Sequence, residues 1–142
     1  MRLLIINFTL GFFFLLSAAS SSGFVKNLKG ETIVLRDKQT IILKVADKIF
    51  EGDTIKTKNK SSIGIIFKDN TLISLGSNSE FYIKKYEFVP AKKKYSFLSR
   101  LVKGTMTCLT GLMSKLNPDA MKLEVKSASI GIRGTHFAVS VD

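Results

Sequence analysis

The chain has 142 residues, 45% of them hydrophobic, and carries 22 Lys and Arg against 11 Asp and Glu, a formal charge of +11. That length holds one domain with a modest core and excludes a second. A lone cysteine, Cys108, excludes an internal disulfide, and with a lone histidine, His136, it excludes a zinc site of three or four nitrogen and sulfur ligands.

The opening stretch MRLLIINFTLGFFFLLSAASSSG has one basic residue, Arg2, an uncharged run from Leu3 to Leu16, and small residues from Ser17 to Gly23. These are the three parts of a secretory signal, which we assign to residues 1–22. The apolar run falls short of the roughly 20 residues a spanning helix needs, so cleavage is expected, with an uncleaved anchor as the alternative. Ser17-x-Ala19 and Ala18-x-Ser20 both offer small residues at a cut, and Cys108 lies too far away to be the acylated cysteine of a lipoprotein. Loss of Arg2 leaves 21 basic and 11 acidic residues, a mature charge of +10. The surface is therefore basic, and the lysines are scattered in short segments.

Residues 23–142 read as one all-β domain. Ile33, Leu35 and TIILKV (Thr40 to Val45) form two runs split by the turn-compatible pair Asp37-Lys38. SIGIIF (Ser62 to Phe67) puts Ile63, Ile65 and Phe67 on one face. LISLG follows a bend at Asp69-Asn70, predicting a hairpin. In EFYIKKYEF (Glu80 to Phe88), Phe81 and Ile83 face one way and Tyr82, Lys84 and Tyr86 the other. Pro90 to Lys94 is a basic loop, and YSFLSRLVKGTMT resumes with mixed periodicity. Leu112, Met113 and Leu116 have helical spacing before Pro118, which predicts one short helix. MKLEVKS (Met121 to Ser127) returns to alternation with Leu123 and Val125 inward. Met106, Met113 and Met121 are read as core filling. Last comes SASIGIRGTHFAV. Gly131 and Gly134 permit a bend or a close backbone approach. Thr135, Phe137, Val139 and Val141 then share one face of a strand expected to complete the sheet, with His136, Ala138 and Ser140 on the other.

GIRGTHFAV resembles the closing signature of the FecR-like periplasmic domain, Arg-Gly-Thr-x-Phe-x-Val. EGDTIKT (Glu51 to Thr57), SSIGIIFKDNTLISLGSNSEFYI (Ser61 to Ile83) and Gly104 in LVKGTM fit the same pattern in order, over about Gly23 to Val141. The resemblance implies a small all-β domain, a twisted β-sandwich or solenoid-like in build, facing the periplasm. It carries Gly52, Asp53, Asp69, Gly131, Arg133, Gly134, Thr135 and Phe137 as structural motif residues. In the regulators that name the family, the domain follows a cytoplasmic segment and a membrane helix and receives a signal from an outer-membrane receptor. Here a signal-like segment stands in that place, so a stand-alone periplasmic module is the expected form.

The residues supply no catalytic constellation. His136 occupies the variable position of the motif on the face opposite Phe137, where a surface side chain is expected. Asp47, Glu51 and Asp53 cluster, but Asp53 sits beside Gly52, where turn capping is the common job. There is neither a calcium loop after Asp69 nor a phosphate loop, and no cofactor or metal is expected. Arg133 is expected to bond backbone carbonyls or an Asp such as Asp53, the alternative being an anionic group on a partner. Lys92, Lys93 and Lys94 are the densest basic run and a candidate anion or partner contact. An envelope protein is the expected partner, and an anionic envelope polymer the second. Nucleic acid is not expected on an exported chain, and the membrane is met only in transit. Two roles follow: a protein-interaction or signal-sensing module, or a structural or glycan-associated envelope protein held by its basic surface.

Overall fold

A computed structural model describes residues 20–134 and 136–142. Most of the assigned signal, and Thr135 of the motif, lie outside the described residues. Among them are twelve strands: β1 (Gly23–Lys29), β2 (Thr32–Arg36), β3 (Gln39–Ile42), β4 (Lys48–Ile49), β5 (Thr54–Thr57), β6 (Ser62–Phe67), β7 (Leu72–Leu75), β8 (Glu80–Val89), β9 (Lys94–Leu109), β10 (Met121–Val125), β11 (Ala128–Gly131) and β12 (His136–Val141). The one α-helix among them is α1 (Leu112–Leu116), and none is long and apolar enough to cross a membrane. The expected all-β class is what forms, a curled antiparallel sheet with one short helix.

The sheet has two layers that share β9. The first runs β3-β2-β5-β8-β9-β10-β11 and the second β4-β1-β6-β7-β9-β12. Every pairing is antiparallel except β9 with β10. The layers arise because successive strands cross one fold line. β1 passes into β2 at Gly30 (φ 73), β5 into β6 through residues 58–61, β7 into β8 through 76–79, and β9 bends at Gly104 (φ 94). Small residues are required there. A Cβ on Gly104 would overlap Ser79, 2.5 Å from its Cα and 2.6 Å from its Cβ, and one on Gly30 would overlap Ser61. Hydroxyls then satisfy the backbone that the bend takes out of the ladder. Glu31 N donates to Ser61 Oγ (2.9 Å), Ser79 N to Thr57 Oγ1 (2.9 Å) and Thr105 N to Ser79 Oγ (3.0 Å), while Thr57 Oγ1 donates to Gly76 O (2.5 Å).

One core fills the space between the layers. Val25, Ile63, Ile65, Phe67, Ile73 and Leu75 enter it from the second layer, and Val34, Ile55, Phe81, Ile83, Phe97 and Leu101 from the first. Residues 23–52 contribute Val25, Val34, Leu43 and Ile49 to the same core. Met106, Met113 and Met121 are all buried in it, as their reading as core filling required.

Three local readings change. β8 carries a register shift between Ile83 and Lys85, so two exposed lysines follow one another and the alternation changes phase. Tyr86, expected outward with Lys84, is therefore buried. The stretch with mixed periodicity is a single strand of 16 residues, because β9 belongs to both layers and changes neighbours at its bend. Of the three apolar residues spaced for the helix, only Met113 is buried, with Ser114 beside it, while Leu112 and Leu116 stay exposed. The turn at Asp37-Lys38 forms as expected, both residues having positive φ (49 and 64) as a two-residue type I′ hairpin demands.

Candidate functional site

Two buried carboxylates fasten the mouth of the sandwich, opposite the fold line. Asp69, fully buried in the bend between β6 and β7, accepts from Tyr86 Oη (3.0 Å), Thr71 Oγ1 (2.7 Å), Thr71 N (3.3 Å) and Met113 N (3.1 Å). It thereby ties the second layer to β8 of the first and to α1. Leu112 N donates to the Asp69 carbonyl at 2.7 Å, and Gly111 N to Thr71 Oγ1 at 3.1 Å. Burial, with the Asp69 charge beside it, pushes the Tyr86 hydroxyl far above its ordinary titration range. The Tyr86, Phe67 and Phe97 rings pack with centroids 4.6 to 5.4 Å apart, bridging the layers beneath this hub.

Asp53 closes the crossing from β4 of the second layer to β5 of the first. It is fully buried, accepts from Phe50 N (2.8 Å), and holds Arg36 bidentately at 2.8 and 2.7 Å. That hydrogen-bonded pair raises the pKa of Arg36, whose guanidinium also lies 4.6 Å from the Phe50 ring centroid. Gly52, at φ 90, makes the turn. Asp53 thus has its counter-ion in Arg36. The Arg133 guanidinium instead meets Asp119 at 3.2 Å, and both side chains are largely exposed. Arg133 thus bonds an Asp, as one of its expected partners, but Asp119 rather than Asp53, which is paired with Arg36 on another part of the sheet. Asp47 caps its own turn through Lys44 N (2.8 Å).

The remaining motif residues lie on the last flank. Gly134 has φ 36 and makes a bend, whereas Gly131 is in β11 with ordinary strand angles and open space around it. Phe137 faces the core opposite Cys108 but is only half-buried, and His136 is exposed on the outer face, as expected. Lys92, Lys93 and Lys94 are all exposed at the tip joining β8 to β9, where Pro90–Lys92 forms a 3-10 turn and Lys93 takes φ 51.

Sequence reasoning gave no role to Arg36 or to a buried Tyr86, and it named Gly104 within the family pattern without the corner it forms with Gly30, Ser61 and Ser79. Sequence reasoning read Asp53 as a turn cap and offered it as one possible partner of Arg133; its burial beside Arg36 is what the structure adds. No residue pattern announces the β8 bulge that turns Tyr86 inward.

Among the described residues no group of three or more His, Cys, Asp or Glu side chains could hold a metal ion. Cys108 is buried, its thiol pushed up to about 12 by burial and then by the Asp69 charge, far from the range of a reactive thiolate. What stays open is surface. A groove of about 310 Å³ runs between the β10–β11 turn and the end of β12, lined by Val125, Ala128, Val139 and Val141 with Lys126 and Asp142 at its rim. On the outer face of the second layer, Leu109, Leu72, Ile66 and Phe24 line up across four strands with no charge between them.

No curated protein matches the chain. A solved structure titled cell surface anchoring domain is 33% identical over 44% of this chain and 83% of its own, with a TM-score of 0.42. The profile described as FecR protein matches residues 53–142, from the buried Asp53 through the Asp69 hub to Asp142, just after the strand that carries RGT-x-F-x-V. That match spans more than half of the sequence, and the chain belongs to the FecR protein family.

Proposed function

We propose that the chain is a non-enzymatic module of the cell envelope, exported to the periplasm, that works by docking a protein partner in signal sensing or assembly. The observation that carries this reading is the division of polar groups. Asp53, Asp69, Tyr86 and Cys108 are buried and, where they bond, bond to structure. By contrast, the flank bearing the family's closing segment leaves core-facing apolar side chains half covered. Buried groups engaged in this way brace a scaffold, and an uncovered apolar flank is where such a scaffold meets another protein.

Photo-crosslinking residues placed at Ser140, Phe24 and Lys93 in the host test it. Adducts with one envelope protein are expected, and adducts at none of the three positions would overturn the reading. Mass spectrometry of the same material should find the mature N-terminus between Ala18 and Gly23. A soluble species retaining Met1 would overturn export.

The exposed run Lys92, Lys93 and Lys94 supports a second reading, a structural or glycan-associated protein held on an anionic polymer. Salt-sensitive retention on such a polymer, lost when the three lysines become glutamines, would favour it over protein docking.

A further inference from the structure

We propose, resting on the docking role above, that the β11–β12 flank takes one extended strand of an acidic partner protein, which adds to the free edge of β12. The layers match place for place along most of their width. β3 stands with β4, β2 with β1, β5 with β6, β8 with β7, the two halves of β9 with each other, and β10 with β12. The first layer then has one strand more: among the described residues nothing in the second layer stands opposite β11.

Burial records the vacancy. Register puts Ile130 beside Leu123 and Ala128 beside Val125, on the side of β10 and β11 that faces the core. Leu123 is 0% exposed, yet its neighbour Ile130 is 39% exposed, and Ala128 is exposed as well. Phe137 and Val139 face the core from β12 and are only half-buried, although their partners on β9, Cys108 and Met106, are fully buried. A strand seated beside β12 would cover all of these with alternate side chains, so its inward residues must be apolar.

The edge itself is unprotected. Natural sheets guard an edge with charge, proline or brevity. β3 is bracketed by Lys38 and Lys44, and β4 is two residues long, but His136 to Val141 holds no lysine, carboxylate or proline over six residues. Among the described residues no strand pairs with this side of β12, so its backbone groups can pair with an extended chain.

Two arguments choose the occupant. A second copy pairing β12 to β12 would bring its own β10 over the place that β11 already holds, so the two hairpins would collide. Two such copies also repel, since the described residues carry 21 basic and 11 acidic side chains, a net +10 each. The same charge draws an acidic strand, whose outward positions would carry Glu or Asp.

The test is an amide-resolved NMR titration of the mature chain with a nine-residue peptide alternating valine with glutamate. Shifts confined to His136–Val141 and Ala128–Gly131 are expected. Binding should weaken at least tenfold for Ile130→Lys, a substitution at an exposed site whose fold is checked by an unchanged melting temperature. The same loss is expected for a peptide N-methylated along one edge, and for one with lysine in place of glutamate. Equal binding by the N-methylated peptide would overturn strand addition, and equal binding by the lysine peptide would overturn the acidic partner. No binding at millimolar peptide would overturn the proposal. So would sedimentation as a dimer that Ile130→Lys dissociates, which would identify a second copy as occupant. Crosslinks from Lys93 or Phe24 but not from Ser140 would remove this site while leaving a docking role intact, whereas the absence of crosslinks anywhere removes both.

Discussion

Replacing Gly104 by alanine should unfold this protein more readily than any other single-methyl addition to the sheet. Two costs add. The residue sits at φ 94, outside the region L side chains adopt, and holding a non-glycine residue in such a conformation costs on the order of 1 to 3 kcal/mol. The new methyl would also stand 2.5 Å from the Cα of Ser79, so the neighbouring backbone must move, an overpacking cost of about 1 to 3 kcal/mol. Movement there disturbs the bond from Thr105 N to Ser79 Oγ at 3.0 Å, which joins β9 to the turn before β8. A loss of about 2 to 6 kcal/mol follows, a large part of the roughly 5 to 15 kcal/mol typical of a domain. Denaturant titration of Gly104→Ala should show a lowered midpoint with unchanged slope, and the melting temperature should drop by about 10 to 20 °C. Gly131→Ala is the control, since its added methyl meets open space in an ordinary strand conformation, and it should stay within about 0.5 kcal/mol of the parent. If Gly104→Ala matched the parent, or if Gly131→Ala were equally damaging, the fold line would not be the sterically closed corner described above.

Asp69→Asn should cost about 2 to 4 kcal/mol, because an amide nitrogen would face donors now served by a carboxylate, and hydrogen exchange should quicken first in α1 through the freed Met113 amide; uniform exchange would argue against a local hub. Phe81→Ala, at a fully buried site, should cost about 3 to 5 kcal/mol, and Phe137→Ala about half of that because the ring is half covered; comparable midpoints would contradict the open flank. Stability should fall as pH rises above 9. The unfolded Cys108 thiol loses its proton near 9.0 while the folded one holds it to about 12, a slope of about 1.4 kcal/mol per pH unit that Cys108→Ala should remove. The raised Tyr86 hydroxyl acts in the same direction above 10, so a residual slope there is expected in that variant. Arg133→Ala should change stability by less than about 1 kcal/mol, since its ion pair with Asp119 is solvent-exposed; a larger loss would show that the arginine braces the fold.

Period-two alternation decided the strands, because a side chain on a strand has only two faces to choose from and burial of one face leaves its mark on every second residue. That is why the hairpin at Asp69-Asn70, the inward faces of β6 and β10, and the outward His136 were all legible in the sequence, while the family was legible in the residue identities of the RGT-x-F-x-V segment. The tertiary structure alone decided what a one-dimensional pattern cannot carry. The bulge after Ile83 changes the phase of β8 and sends Tyr86 to Asp69. The fold line is written in isolated small residues, Gly30, Ser61, Ser79 and Gly104, that are far apart in sequence and meet only when the layers close. Asp53 demanded a cation, and proximity in three dimensions gave it Arg36 across 17 residues while leaving Arg133 to Asp119. Local preference belongs to neighbours along the chain, whereas pairing of buried charges, steric closure at a corner and the count of strands in each layer belong to residues brought together by folding.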